Sequence, residues 1–119
     1  MYSPQVLEHF EHPRNAGEVD HPDASAQVEN PACGDILKLT LRIDNGRITE
    51  ARFLAKGCVP AMACGSLITE LIEGKSVAHA RSINTQNLIT AAGGLPAASG
   101  HAAQLAIDTF RKALATINQ

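Results

Sequence analysis

Residues 36–56 read ILKLTLRIDNGRITEARFLAK, and this stretch decides the fold because it joins two strand patterns through a strong turn signal. Apolar residues alternate with lysine, threonine and arginine over residues 36–43, which is the two-residue period of a half-buried strand. Asp44-Asn45-Gly46 favours a tight hairpin turn, and residues 47–56 then supply a second strand. The pattern predicts an antiparallel β-hairpin with one apolar face.

The register of this hairpin places two cysteines near each other. A two-residue loop at Asn45-Gly46 would set Cys33 opposite Cys58, roughly 5 Å apart at the backbone. The same register would pair the apolar Leu39 with Arg52, so we expect a three-residue loop or a single bulge, which shifts the pairing by about one residue. In either case the two cysteine loops leave the sheet at the same end.

The regions outside the hairpin are mostly helical in pattern. A capping serine and a proline begin a helix at Ser3-Pro4, residues 14–24 are irregular, and residues 25–29 have a weaker strand pattern. Later helices are predicted at 60–73, 76–81, 85–92 and from Ser99 onward. Strands precede helices, so we predict one α+β domain over residues 1–119, with a small three-stranded antiparallel sheet and helices packed on one face.

Composition limits the function classes. The 119 residues carry a formal charge of −2 without a basic cluster, which argues against nucleic acid as a partner. No stretch approaches the ~18 apolar residues of a membrane span, so we expect no membrane association and a cytoplasmic location. In a reducing compartment, an odd set of three cysteines favours metal binding or thiol chemistry over a disulfide framework.

Two of the cysteines lie where ligands are expected. Cys33 lies in the turn NPACGD at residues 30–35, where little bulk shields a sulfur, although a small residue tucked under the turn fits as well. Asp35 either caps this turn or acts as a ligand. Cys58 precedes the helix predicted at 60–73, so the helix dipole and Lys56 should favour its thiolate, although a buried residue at a strand end is the alternative.

The remaining candidates are a cysteine and a histidine. Cys64 lies on the apolar stripe of its helix, which favours core packing, and a disulfide with Cys58 would be awkward across a helix start. His101 begins the last helix, where its imidazole could reach a metal over the end of the sheet, or simply cap the helix or face water. No role is assigned to the histidines that have no cysteine near them, namely His9, His12, His21 and His79.

Four segments together resemble the IscU/NifU-type iron-sulfur cluster assembly scaffolds. They are YSPQVLEHFEHPRNAG at 2–17, NPACGD at 30–35, RFLAKGC at 52–58 and GSLITELIEGK at 65–75. The resemblance implies an IscU/SufE-like fold and a protein that is not an enzyme. It also implies a cysteine desulfurase as sulfur donor, a labile 2Fe-2S cluster or iron as cargo, acceptor apo-proteins as partners, and a monomer or weak homodimer.

The resemblance also assigns roles to particular residues. Cys33 and Cys58 match two of the three family cysteines, Asp35 matches the aspartate that keeps the cluster exchangeable, and His101 matches the histidine beside the third cysteine. That third cysteine is Ala102 here, and Cys64 stands where relatives usually have serine. Residues 95–99 read LPAAS where the family's Hsp70-type chaperone motif reads LPPVK, which weakens the case for that partner.

The lost thiol leaves three hypotheses open. Cys33, Asp35, Cys58 and His101 could still hold a 2Fe-2S cluster, since histidine serves on one iron in some clusters. The same four donors suit a tetrahedral zinc ion, which would fit a divergent zinc-binding paralogue that regulates or adapts a cysteine desulfurase. A third hypothesis is a thiol redox protein in which Cys33 and Cys58 form a reversible disulfide.

Overall fold

The computed structural model describes residues 2–31 and 33–117, and it contains one three-stranded antiparallel sheet. Its strands are β1 (Ala24–Glu29), β2 (Ile36–Asp44) and β3 (Arg47–Lys56), in the spatial order β1-β2-β3. The α-helices of the described residues are α1 (Pro4–Glu11), α2 (Val59–Ile72), α3 (Val77–Ala80), α4 (Thr85–Ala91) and α5 (Gly100–Ala115). This architecture confirms the α+β prediction, with helix boundaries displaced by one or two residues.

The β2–β3 hairpin has a two-residue loop followed by a bulge. Asn45 and Gly46 both have positive φ, at 52° and 75°, as a tight primed turn requires. The pairing then shifts between Arg42 and Ile43, which confirms the predicted bulge. Because of this shift Leu39 pairs with Phe53 and not with Arg52, and one face of the hairpin stays apolar.

The strand pairing ends before it reaches the cysteines. The last pairs of the sheet are Ile36 with Lys56 and Ile36 with Glu29. Cys33 and Cys58 therefore do not face each other across the ladder. They lie in the two connections just beyond it, at the common end of the sheet that the hairpin pattern predicted.

Helices α2 and α5 cover the apolar face of the sheet. Leu37, Leu39 and Leu41 of β2 are at most 1% exposed beneath them. A Cβ atom on Gly65 of α2 would lie 2.6 Å from the Phe53 ring, so a glycine is needed for the helix to pack this closely. The apolar side of α5 is fully buried, and the helix ends at Ala115.

Helix α1 is attached to α2 by a buried histidine to which the sequence assigned no role. The ring Nδ1 of His9 lies 2.7 Å from the Ser66 hydroxyl, and that hydroxyl also accepts the backbone N–H of Arg14 at 2.8 Å. The Ser66 oxygen has two lone pairs, so it can accept from Nδ1–H as well as donate to Nδ1, and the other ring nitrogen, Nε2, lies 3.4 Å from Glu70. Among the described helices, none has the length and apolar character needed to cross a membrane.

Candidate metal centre

The first cysteine loop is a tight backbone turn. The N–H groups of Cys33 and Gly34 donate to the Asn30 carbonyl at 3.3 and 2.7 Å, and Asn30 in turn donates to the Asp35 carbonyl. Gly34 has φ +78°, a left-handed conformation that glycine adopts without strain. The turn leaves Cys33 exposed and directs Asp35, which is only 4% exposed, towards the second loop.

Asp35 joins the two cysteine loops. One carboxylate oxygen, Oδ1, accepts the Cys58 backbone N–H at 3.2 Å, and the other, Oδ2, accepts from the Cys58 thiol at 3.1 Å. Cys58 immediately precedes α2, and the backbone N–H groups at the start of a helix have no partner within the helix. The Asp35 carboxylate supplies a partner for one of these groups. Asp35 therefore does more than cap its own turn, which was one of the two roles expected from the sequence.

A glycine makes this contact possible. Gly57 has φ +150°, and a Cβ atom on it would lie 2.1 Å from Asp35 Oδ1 and 2.7 Å from the carboxylate carbon. Any larger residue would therefore overlap the buried carboxylate. The G-C pair at residues 57 and 58 was visible in the sequence, but only the contact with Asp35 explains the need for glycine.

His101 approaches from the first turn of α5. Its Nε2 atom lies 3.7 Å from Asp35 Oδ2, and the side chain is half-buried. Ligand atoms of Cys33, Asp35 and His101 all lie within 4.8 Å of one another. Asp35 thus contacts Cys58 and lies beside Cys33 and His101, so the structure groups three of the predicted site residues within 4.8 Å and joins the fourth, Cys58, to them through Asp35.

The Asp35 carboxyl is acidic and ionised at neutral pH. Burial acts to raise its pKa, but the thiol hydrogen bonds from Cys58 and Cys33, the Cys58 N–H and the charge of His101 together outweigh burial. The net result is a pKa below the ordinary value of 3.8. A carboxylate is therefore available as a ligand without loss of a proton.

The expectation of a Cys58 thiolate is wrong. The pKa of Cys58 is raised above 9.0, first by desolvation of the sulfur and then by the hydrogen bond to Asp35. The backbone N–H of Ala61 acts in the opposite direction but does not compensate. The sequence suggested that the helix dipole and Lys56 dominate the electrostatic field at the Cys58 sulfur, whereas the nearest charge is the Asp35 carboxylate.

The third cysteine and the position of the missing family cysteine both lie in the core. Cys64 is fully buried, and burial raises the pKa of its thiol to about 12. Ala102 is 1% exposed and packs within the same core. All three cysteines are free thiols, so Cys58 and Cys64 form no disulfide. Burial of Cys64 confirms the core prediction and argues against its use as a replacement ligand.

The four side chains of the site suit a soft or borderline metal ion. Two thiols, one carboxylate and one imidazole make four potential donors, and sulfur with nitrogen suits iron-sulfur species and zinc better than hard cations. Neither thiol is locked in a disulfide, and Cys33 and Cys58 are both exposed. The distinctive feature of these side chains is that the Asp35 carboxylate already accepts a hydrogen bond from one of the sulfur donors, Cys58.

Fold and site together define a small α+β domain with a cysteine, aspartate and histidine cluster at one end of its sheet. The chain belongs to the NifU-like N terminal domain family, whose sequence model matches residues 1–119. This membership confirms the resemblance seen in the four sequence segments.

Known proteins of similar sequence and structure agree with this membership. The chain is 40% identical over 118 residues to the "Iron-sulfur cluster assembly scaffold protein IscU" of Escherichia coli, covering 96% of this chain and 91% of the relative. It is 37% identical over 114 residues to "Iron-sulfur cluster assembly scaffold protein IscU 1" of Archaeoglobus fulgidus, covering 96% and 74%. The crystal structure of a nitrogen-fixing NifU-like protein (N-terminal) from Brucella abortus has the same fold, with a TM-score of 0.78 at 17% identity over 97% of this chain and 92% of that one.

Proposed function

We propose that this protein is a non-catalytic scaffold that holds a labile 2Fe-2S cluster or its iron precursor and passes it to acceptor apo-proteins. The cluster is cargo in this proposal. Cys33, Cys58 and His101 supply the sulfur and nitrogen donors, and Asp35 supplies the carboxylate. The coarser function, a scaffold in iron-sulfur cluster assembly, is the one that the family and its relatives carry.

The observation that supports this proposal best is the central position of Asp35. Its carboxylate contacts the Cys58 N–H and thiol, and its oxygen lies 3.7 Å from His101 Nε2. A carboxylate with these alternative partners can leave a metal and return to Cys58 without becoming an unpaired buried charge. Asp35 therefore lowers the barrier to release, as cargo in transit requires.

The partners follow from the same proposal. A scaffold for iron and sulfide needs a sulfur donor, which we assign to a cysteine desulfurase, and acceptors that bind clusters more tightly than this site does. Cys33 is exposed and has no thiol or disulfide partner, so it can react with an incoming persulfide. The segment LPAAS at residues 95–99 gives no support for an Hsp70-type chaperone as partner.

Anaerobic reconstitution tests the proposal. The protein is incubated with ferrous iron, cysteine and a cysteine desulfurase, and visible absorption and acid-labile sulfide are measured. We expect a coloured product with the wild type and with Cys64→Ser, whose sulfur lies in the core, but not with Cys33→Ser or Cys58→Ser. A colourless wild-type product that retains only zinc would contradict the proposal and favour the zinc-binding paralogue.

A further inference from the structure

The two edges of the sheet differ in how many backbone hydrogen bonds they form with the rest of the chain. Along β3, Phe53 exchanges backbone hydrogen bonds with Asn15 and Gly17, at 3.0 and 2.8 Å. At the other end of β3, Ile48 exchanges bonds with Lys75 and Gly74, at 2.8 and 2.7 Å. This edge is therefore closed by neighbouring backbone and offers few unpaired groups.

The β1 edge remains open next to the metal centre. The Ser25 N–H points away from β2, because it reaches the Thr116 hydroxyl at 3.4 Å. Backbone N–H groups alternate in direction along an antiparallel strand, so those of Gln27 and Glu29 point outward too. Among the residues that the structure describes, none bonds to these two N–H groups. An open edge strand is a template for another strand.

A cleft of about 430 Å³ adjoins this open edge, between the end of β1 and α5. Val28 and Leu105 are its apolar lining residues, and Glu29 and Asp108 are its two acidic ones. His101 lines the same cleft, which connects it to the candidate metal centre. No lysine or arginine lines it among the described residues.

We propose that β1 and this cleft, together called the β1 groove, bind an extended segment of a partner protein as a fourth strand. The segment carries a lysine or arginine with apolar neighbours, and the basic side chain enters the cleft. Main-chain bonds to Gln27 and Glu29 give affinity, and the cleft selects the side chain, as in other cases of strand addition. This goes beyond the proposed scaffold function, because it assigns a docking surface and the chemistry of its occupant.

The charge of the cleft is the reason to choose a basic partner segment over a second copy of this chain. A partner side chain that enters the cleft lies close to Glu29 and Asp108, so a cationic side chain binds more favourably there and an anionic one less favourably. A second copy paired along β1 would bring a second acidic cleft. The outward residues of β1 itself, Ser25, Gln27 and Glu29, include no cation.

A synthetic peptide provides the test, and no metal is needed. The probe is the acetylated, amidated peptide Thr-Val-Arg-Val-Arg-Val-Thr, and the matched control has glutamate in place of both arginines. Amide hydrogen exchange is followed at each residue of the intact protein. We expect the arginine peptide to slow exchange at Gln27 and Glu29 by roughly tenfold or more at saturation, and the glutamate peptide to have no effect.

Variants separate the backbone contribution from the charge contribution. Gln27→Pro removes one outward N–H while leaving the bonds to β2, so it should weaken peptide binding about tenfold, whereas Gln27→Ala should not. Asp108→Lys should weaken it about fivefold. Equal binding of both peptides, protection only at residues outside β1, or protection that rises with protein concentration without peptide would overturn the proposal. The last result would identify a second copy as the occupant.

Discussion

Gly57 and Asp35 are packed so closely that the Asp35 carboxylate occupies the space that a side chain on residue 57 would fill. A Cβ atom on Gly57 would lie 2.1 Å from Asp35 Oδ1 and 3.1 Å from the Asp35 Cα atom. The carboxylate can avoid this overlap only by leaving the Cys58 N–H. Gly57 is therefore a positioning residue for the centre, acting through Asp35.

The first prediction concerns Gly57→Ala. We expect it to displace Asp35 and to lengthen the lifetime of a bound iron-sulfur cluster, as we also expect of Asp35→Ala. Gly17→Ala is the matched control, because Gly17 has a large positive φ of +127° but its Cβ position meets only an ordinary contact of 3.8 Å, with a side-chain carbon of Arg52. Both variants then carry backbone strain, and only Gly57→Ala adds the collision. Equal losses of stability, with wild-type cluster lifetime in Gly57→Ala, would remove Gly57 from the site.

The second prediction concerns Asp35→Ala. Loss of the carboxylate removes the partner of the Cys58 thiol and one cause of its raised pKa, so the pH at which Cys58 reacts with an alkylating agent should fall. A cluster bound to the variant should also be released more slowly, because no carboxylate remains that can leave the metal and return to Cys58. The measurements are alkylation rate against pH and transfer rate to an apo-acceptor. Unchanged values of both would show that Asp35 plays no part.

The third prediction separates the core cysteine from the site cysteines. Cys64→Ser buries a hydroxyl where a fully buried thiol stood, so the free energy of unfolding should fall by about 1–3 kcal/mol. Cluster binding should be retained at temperatures where the variant is folded. Denaturant unfolding and reconstitution measure the two effects. Loss of metal binding equal to that of Cys33→Ser would instead identify Cys64 as a ligand.

The fourth prediction is a pH dependence of stability that arises at His9. Burial lowers the pKa of His9 below 6.5 and Arg14 acts in the same direction, while Glu70 and Glu8 only partly oppose them. Since the unfolded chain then takes up a proton more readily than the folded one, stability is full above about pH 6.5 and falls as the pH drops towards the folded pKa. Thermal unfolding measured between pH 8 and pH 5 checks this, with His9→Gln as the comparison. An equally steep fall in His9→Gln would assign the effect to another group.

The fold and the location of the site could be predicted because they depend on local patterns. The alternation over residues 36–43 and the turn at Asn45-Gly46 determine the hairpin, and the conflict between Leu39 and Arg52 already required either a three-residue loop or a bulge, of which the bulge is present. Once the hairpin is known, its two ends must bring the cysteine loops together. No long-range information was needed for that step.

The electrostatics of the site could not be predicted because they depend on contacts between distant residues. The pKa of Cys58 is raised first by burial and then by a carboxylate 23 positions earlier in the chain, and the local signals at Lys56 and the helix start point the other way. The contact of His9 with Ser66 spans 57 positions and has no local signature. Sequence patterns therefore bring the two cysteine loops together without giving the protonation states of their residues.

The decisive experiment is elemental analysis of anaerobically purified native protein for iron, acid-labile sulfide and zinc. We expect iron and sulfide in similar amounts in the wild type and neither in the Cys33→Ser, Cys58→Ser double variant. Zinc alone in the wild type, or iron and sulfide retained by the double variant, would contradict the proposed scaffold function.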